Sequence, residues 1–181
     1  MTVDEMHELF ERTPQVCVCS RDRLLRPECN GGVPVNPTKR AYVSGALQGS
    51  TNLSAARHLY ETLARGLQVR GHAAYVPHQS TDPVAASHHT PGYVFSKDLE
   101  ALANSDAVIA FLGEPSLGVG AEVAIALERG IPVIGLVPRG RSTSRFLLGL
   151  LEASPHGCWA EYDDVSEAVE IVATLLGDSG A

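Results

Sequence analysis

The run Asp106-Ala-Val-Ile-Ala-Phe-Leu-Gly113, followed directly by Glu114-Pro-Ser-Leu-Gly-Val-Gly-Ala-Glu122, decides how the chain is read. Its first half is a short apolar segment with the length and composition of a buried strand. Its second half is a glycine-rich turn leading into a helix from Val119 to Arg129, which Gly130 and Pro132 end. Strand, glycine-rich turn and helix in succession are the repeating unit of a parallel α/β sheet. From Val119 to Leu127 the only ionisable side chain is Glu122. A carboxylate alone in an otherwise apolar first helical turn either complements the positive helix end or has a chemical task beside backbone N–H groups open to an anion.

The same rhythm extends in both directions. Ala41 to Ser44 reads as a strand, 45–51 as a loop, and Asn52 to Arg70 as an amphipathic helix with Leu53, Ala56, Leu59, Tyr60, Leu63 and Leu67 on one face. Further strands are expected at Ala73 to Val76, Pro132 to Val137 and Cys158 to Tyr162, and further helices at Gly92 to Asn104, Ser142 to Glu152 and Ser166 to Leu176. A long polar loop, 77–91, joins the second strand to its helix. This order predicts a three-layer, Rossmann-like (flavodoxin-like) fold: a five-stranded parallel sheet with helices on both faces and right-handed crossovers. In such sheets ligands bind beyond the carboxyl ends of the strands, and the loops at 45–51, 77–91 and 113–120 all leave those ends.

Residues 1–39 stand apart as a partly irregular arm. A short helical pattern (Val3, Met6, Leu9, Phe10) gives way to frequent Pro and Gly, and the catalytic domain is expected over 40–181. At 181 residues and 44% hydrophobic, the chain suits one domain with a full core. No run approaches the roughly 18 apolar residues of a membrane span, and the acidic N-terminus lacks a signal peptide's pattern, so a cytoplasmic protein with no membrane partner is expected. A net charge of −7 argues against nucleic acid as a partner.

Four cysteines make no disulfide framework in such a chain. Cys17, Cys19 and Cys29 lack a second close Cys/His pair to complete a tetrahedral site, so neither metal nor cofactor is expected. Gly118-x-Gly120 starts a dinucleotide fingerprint, but Val123 occupies the third glycine position; the loop from Gly45 to Ser50 lacks the lysine of an ATP-binding loop. On the helix from Gly92, Asp98 lies four residues from both Val94 and Leu102, against the apolar stripe. A carboxylate there needs fixed partners, and pockets are where such groups collect. Asp106, at a helix-to-strand junction, reads as structural.

Tyr42-Val-Ser-Gly45, Asp98-Leu-x-x-Leu-x-x-Ser-Asp106 and above all Pro115-Ser-Leu-Gly-Val-Gly-Ala-Glu122 resemble the 2′-deoxynucleoside 5′-phosphate N-hydrolases, relatives of the nucleoside 2-deoxyribosyltransferases. The similarity covers about Arg40 to Leu176. It implies cleavage of the bond between base and sugar of a small-molecule nucleotide, with Glu122 attacking C1′, Asp98 as second acid and Tyr42 orienting the nucleophile. A carboxylate below C1′ suits an oxocarbenium-like transition state. The resemblance places His78 near the base and Ser116 and Gly118 in the phosphate-holding turn; the first loop adds free N–H groups at Gly45, Gly49 and Ser50, and Leu47 and Gln48 complete the expected substrate-binding set. It also implies an arginine in the first loop, where this chain has Gln48, and a homodimer or higher homo-oligomer in which a neighbouring subunit supplies a serine near Leu147-Leu148-Gly149. Arg145, close by, is a candidate to reach the partner's phosphate site. The crowding of Phe146, Leu147, Leu148, Leu150 and Leu151 on one helix gives a dimer support of its own. A deoxyribosyltransferase and a non-catalytic nucleotide-binding module are the alternatives; Tyr42, Asp98 and Glu122 together speak against the latter.

Overall fold

A computed structural model describes residues 38–48 and 50–177. The arm with Cys17, Cys19 and Cys29 lies outside the described residues up to position 37, as does Gly49 of the first loop. The elements run β1 (Arg40–Ser44), α1 (Leu53–Val69), β2 (Ala73–Tyr75), α2 (His78–Thr81), α3 (Pro91–Ala103), β3 (Ala107–Phe111), α4 (Leu117–Glu128), β4 (Val133–Pro138), α5 (Arg145–Ala153), β5 (Gly157–Tyr162) and α6 (Val165–Leu176). The sheet has five strands in the order β2-β1-β3-β4-β5, every adjacent pair parallel. This is the flavodoxin-like α/β fold.

Two-residue periodicity sorts the strand side chains between the layers. Ala41, Val43, Ile109, Phe111, Ile134 and Leu136 point to one face, where α1 and α6 supply Leu63, Leu67, Val169 and Val172. Tyr42, Val108, Ala110, Val133 and Val137 point to the other, under Leu102 of α3, Val119 and Val123 of α4 and Leu151 of α5. Strands covered on both faces read as continuous apolar runs, which is why β3 is buried along its whole length.

Side-chain caps set the helix starts. Asn52, Thr90, Ser116, Ser144 and Asp164 each accept from a backbone N–H of the first turn. The Ser116 cap starts α4 at Leu117, two residues earlier than expected, so Gly118 and Gly120 are helical and Glu122 sits in the second turn. The helix-end charge acts mainly within the first turn, so it does not account for a glutamate there. Likewise α5 starts at Arg145 and not at Ser142, because Ser144 is its cap. The 77–91 loop holds one short helix, α2. Asp106 is structural: Oδ2 accepts from the Arg40 N–H at 2.7 Å, tying β3 to β1.

Candidate active site

Tyr42 and Ser44 are two apart on β1 and face the same side of the sheet, fully buried. Across from them, in α4, stands Glu122. Tyr42 Oη donates to Glu122 Oε1 at 2.8 Å, and Ser44 Oγ donates to Oε2 at 2.5 Å. Burial pushes the Glu122 carboxyl above the usual carboxylate range; the two hydroxyls pull it down, and the charge of Asp98 pushes it up again. The Tyr42 hydroxyl is driven far upward by burial and then by Glu122, so Tyr42 serves only as a donor.

Asp98 comes from α3 and has a tyrosine of its own. Tyr75 Oη donates to Asp98 Oδ1 at 3.2 Å, and Thr81 Oγ1 lies 3.0 Å from Oδ1 and 3.2 Å from Oδ2. Burial raises the Asp98 carboxyl against both of these partners. Tyr75 is pushed up to about 12, by burial first and by Asp98 next. Tyr42 and Tyr75 are register partners on β1 and β2, and their rings stack 5.6 Å apart with 22° between planes. The two carboxylates are thus held by neighbouring strands through a stacked tyrosine pair.

The rest of the cleft is built from three loops. His78 opens α2, its Nε2 2.8 Å from Glu61 Oε1, while its Nδ1 is buried with no hydrogen-bond partner. That contact is the main reason the Glu61 carboxyl sits below its usual range. Asp82 accepts from the N–H groups of Val84 and Ala85 and pairs with Arg57, which fixes the start of the 82–90 segment. Gly45 must be glycine: a Cβ there would lie 2.2 Å from Tyr60 Cζ, and the Tyr60 hydroxyl donates to the Ala46 carbonyl at 3.1 Å. Glu114 Oε1 accepts from Thr51 Oγ1 at 2.8 Å, so it laces the first loop to the turn before α4.

The cleft encloses about 710 Å³, within the range of small-molecule sites. Asp98, Glu122 and His78 line it together, with Gly45, Leu47 and Gln48 from the first loop and Ser116 and Gly118 from the start of α4. Tyr42 stands behind Glu122. Two further candidates also lie off the lining: Ser50 accepts from the Asn52 N–H, and Arg145 is exposed at the start of α5. Among the described residues no lysine or arginine lines the cleft. Ser44, Tyr75 and Thr81 are the participants that sequence reasoning missed. For Ser44 the signal was there, since any side chain two residues from Tyr42 shares its face.

Chemically, the arrangement offers a carboxylate gripped at both oxygens, a second carboxyl biased toward its neutral form, and a helix start open to an anion. Among the described residues no group of three or more His, Cys, Asp or Glu is placed to hold a metal ion, and no helix is long and apolar enough to cross a membrane. No family model matches the chain. A protein of Thermofilum pendens named as a 2′-deoxynucleoside 5′-phosphate N-hydrolase is 32% identical over 143 residues, 77% of this chain and 96% of its own length. A protein of Methanosarcina mazei with the same name is 34% identical over 114 residues, 61% of this chain and 68% of its own length. Among solved structures, the CMP N-glycosidase of Clostridium botulinum superposes with a TM-score of 0.57 at 20% identity, covering 75% of this chain and 98% of that one. The 2-deoxyribosyltransferase of Bacillus psychrosaccharolyticus gives 0.56 at 19% identity, covering 75% of this chain and 95% of that one. At these identities the likeness of the two structures is one of fold.

Proposed function

Because the chain belongs to the 2′-deoxynucleoside 5′-phosphate N-hydrolase family, we propose that it hydrolyses the bond between base and sugar of a nucleoside 5′-monophosphate. The observation that carries this reading is Glu122 held at both oxygens by Tyr42 and Ser44 in one cleft with Asp98. One oxygen of Glu122 attacks C1′ as the C1′–N bond breaks and its electron pair leaves with the base. Asp98, whose burial favours the protonated form, gives its proton to the departing base. Water then attacks C1′, the bond to Glu122 breaks, and a water proton passes to Asp98. The 5′-phosphate rests on the start of α4, at Ser116 and Gly118, with the first loop supplying further N–H groups.

Among the described residues no lysine or arginine lines the cleft, and those residues alone leave a dianion poorly neutralised. A homodimer in which Arg145 of the partner subunit reaches this end of the cleft supplies the missing charge. Phe146, next to it, is 85% exposed in the single chain and fits burial between copies.

The test is a panel of nucleoside 5′-monophosphates, with the matching nucleosides as controls, assayed for free base by chromatography. Base release from at least one monophosphate, faster than from its nucleoside, supports the reading; release from none of them overturns it. Adding a second free base separates hydrolysis from transfer, because transfer makes a new nucleotide.

A further inference from the structure

Thr81 is buried, belongs to a four-residue helix, and makes more contacts than one proton can serve. Its Oγ1 lies 3.0 Å from the Pro77 carbonyl, 3.0 Å from Asp98 Oδ1 and 3.2 Å from Oδ2. A hydroxyl has one hydrogen to give and two lone pairs to receive with. The Pro77 carbonyl already accepts from the N–H groups of Ser80 at 2.9 Å and Thr81 at 2.8 Å, so it does not depend on the hydroxyl.

Two complete hydrogen-bond patterns follow from these distances. With Asp98 ionised, Thr81 donates to the carboxylate beside the Tyr75 hydroxyl. With Asp98 neutral, its Oδ2–H donates to Thr81 Oγ1, Thr81 turns its own hydrogen to Pro77, and Tyr75 still donates to Oδ1. Neither pattern leaves a buried polar group unpaired, and switching between them takes only a hydroxyl rotation. Tyr75 does not do this for Asp98, because its hydroxyl stays a donor in both patterns.

We propose that Thr81 is a positioning residue that lets Asp98 hold a proton and give it up without losing its place. This rests on the reaction proposed above, in which Asp98 gives a proton to the departing base and takes one from water. Tyr75 from β2, Tyr42 from β1 and Glu122 from α4 feel the charge of Asp98, and His78, Asp82 and His89 line the same cleft. Among the described residues no lysine or arginine shifts Asp98; burial raises it, and the hydroxyls of Thr81 and Tyr75 are what act against burial.

The test compares Thr81→Val, which keeps the shape and loses the hydroxyl, with Thr81→Ser, which keeps the hydroxyl. Thr81→Ala replaces the valine variant should that one fail to fold. The first readout needs no activity: the Asp98 carboxyl is titrated by carbon NMR, its signal identified with Asp98→Asn. Thr81→Val takes a partner from both states, but the bond to the charged form is the stronger, so the Asp98 midpoint moves upward, while Thr81→Ser keeps the wild-type midpoint. The second readout is base release from two nucleotides whose bases differ in leaving ability. Thr81→Val loses at least about tenfold more on the poorer leaving group, and Thr81→Ser stays within about threefold of wild type on both. An unmoved Asp98 midpoint in Thr81→Val, or equal losses on both substrates, overturns the role of Thr81. If wild type releases no base from any nucleotide, the proposed reaction falls, and the titration still decides whether the Thr81 hydroxyl bears on the protonation of Asp98.

Discussion

Glu122 keeps a carboxylate where its surroundings disfavour the charge, and this sets the sign of several measurements. Its native midpoint lies above the ordinary 4.5, so the folded chain binds its proton more tightly than the unfolded chain does. Such a group stabilises fully below the unfolded midpoint, and that stability is lost as pH rises through the native one. Glu122→Gln removes the titration while keeping the shape. The variant is therefore expected to melt at or above the wild-type temperature, with the gap widening from pH 4.5 upward to a plateau, as calorimetry across pH will check. Base release should fall by at least about a thousandfold, since a carboxamide neither attacks C1′ nor offsets its charge. Ser44→Ala leaves Oε2 with one donor fewer. A hydrogen bond to a charged group contributes about 1.5–3 kcal/mol, so a loss of about ten- to a hundredfold in kcat, with KM little changed, is the expected steady-state result.

Among the elements, α4 combines two duties at its start. Ser116 caps the helix through the Val119 N–H, and the same turn lines the cleft where the phosphate is proposed to rest. Aspartate caps as well as serine does, but it brings a negative charge. Ser116→Asp should keep the wild-type melting temperature within about 2 °C and raise KM for a monophosphate at least about tenfold while leaving KM for the nucleoside unchanged. Equal KM changes on both would remove this turn from phosphate binding. The same helix shows what sequence reading reaches. Its apolar character and its lone glutamate were legible, because burial dictates both. Its first turn was not, because Ser-Leu-Gly-Val-Gly reads as a turn until the Ser116 cap is seen to close it. All five strands were legible as apolar runs, whereas α2 was not: four residues show no helical period, and it is held by Pro77 and Asp82. Tyr75 and Thr81 were illegible for a related reason. Their place beside Asp98 depends on the pairing of β2 with β1 and on how α2 turns back toward α3, and neither is a local pattern.

Among the described residues, apolar side chains stand uncovered at the starts of two helices. Leu117 is 96% exposed and Phe146 is 85% exposed, one at the start of α4 and the other in α5. If these faces meet a second copy, light scattering on dilute protein should give twice the chain mass, and Phe146→Asp should give the mass of one chain. Arg145→Ala should then impair turnover of a monophosphate at least about tenfold more than turnover of its nucleoside. A fully active single chain would sink the assembly; equal losses on both substrates would sink the role of Arg145.

Trp159 is the only tryptophan in the chain, and it sits on β5, at the sheet edge opposite β2, with its indole N–H donating to Glu152 at 3.0 Å. The stacked Tyr42 and Tyr75 lie on the same face toward the other edge of the sheet, on β1 and β2, against the two carboxylates. The protein therefore carries two optical reporters with separate fields of view. Nucleotide entering the cleft should perturb the tyrosine bands of the near-ultraviolet spectrum and leave the tryptophan emission maximum where it was. Denaturant should shift both at one midpoint if the sheet melts as a unit. A fluorescence screen for ligands that watches tryptophan alone would look at the wrong edge of the sheet.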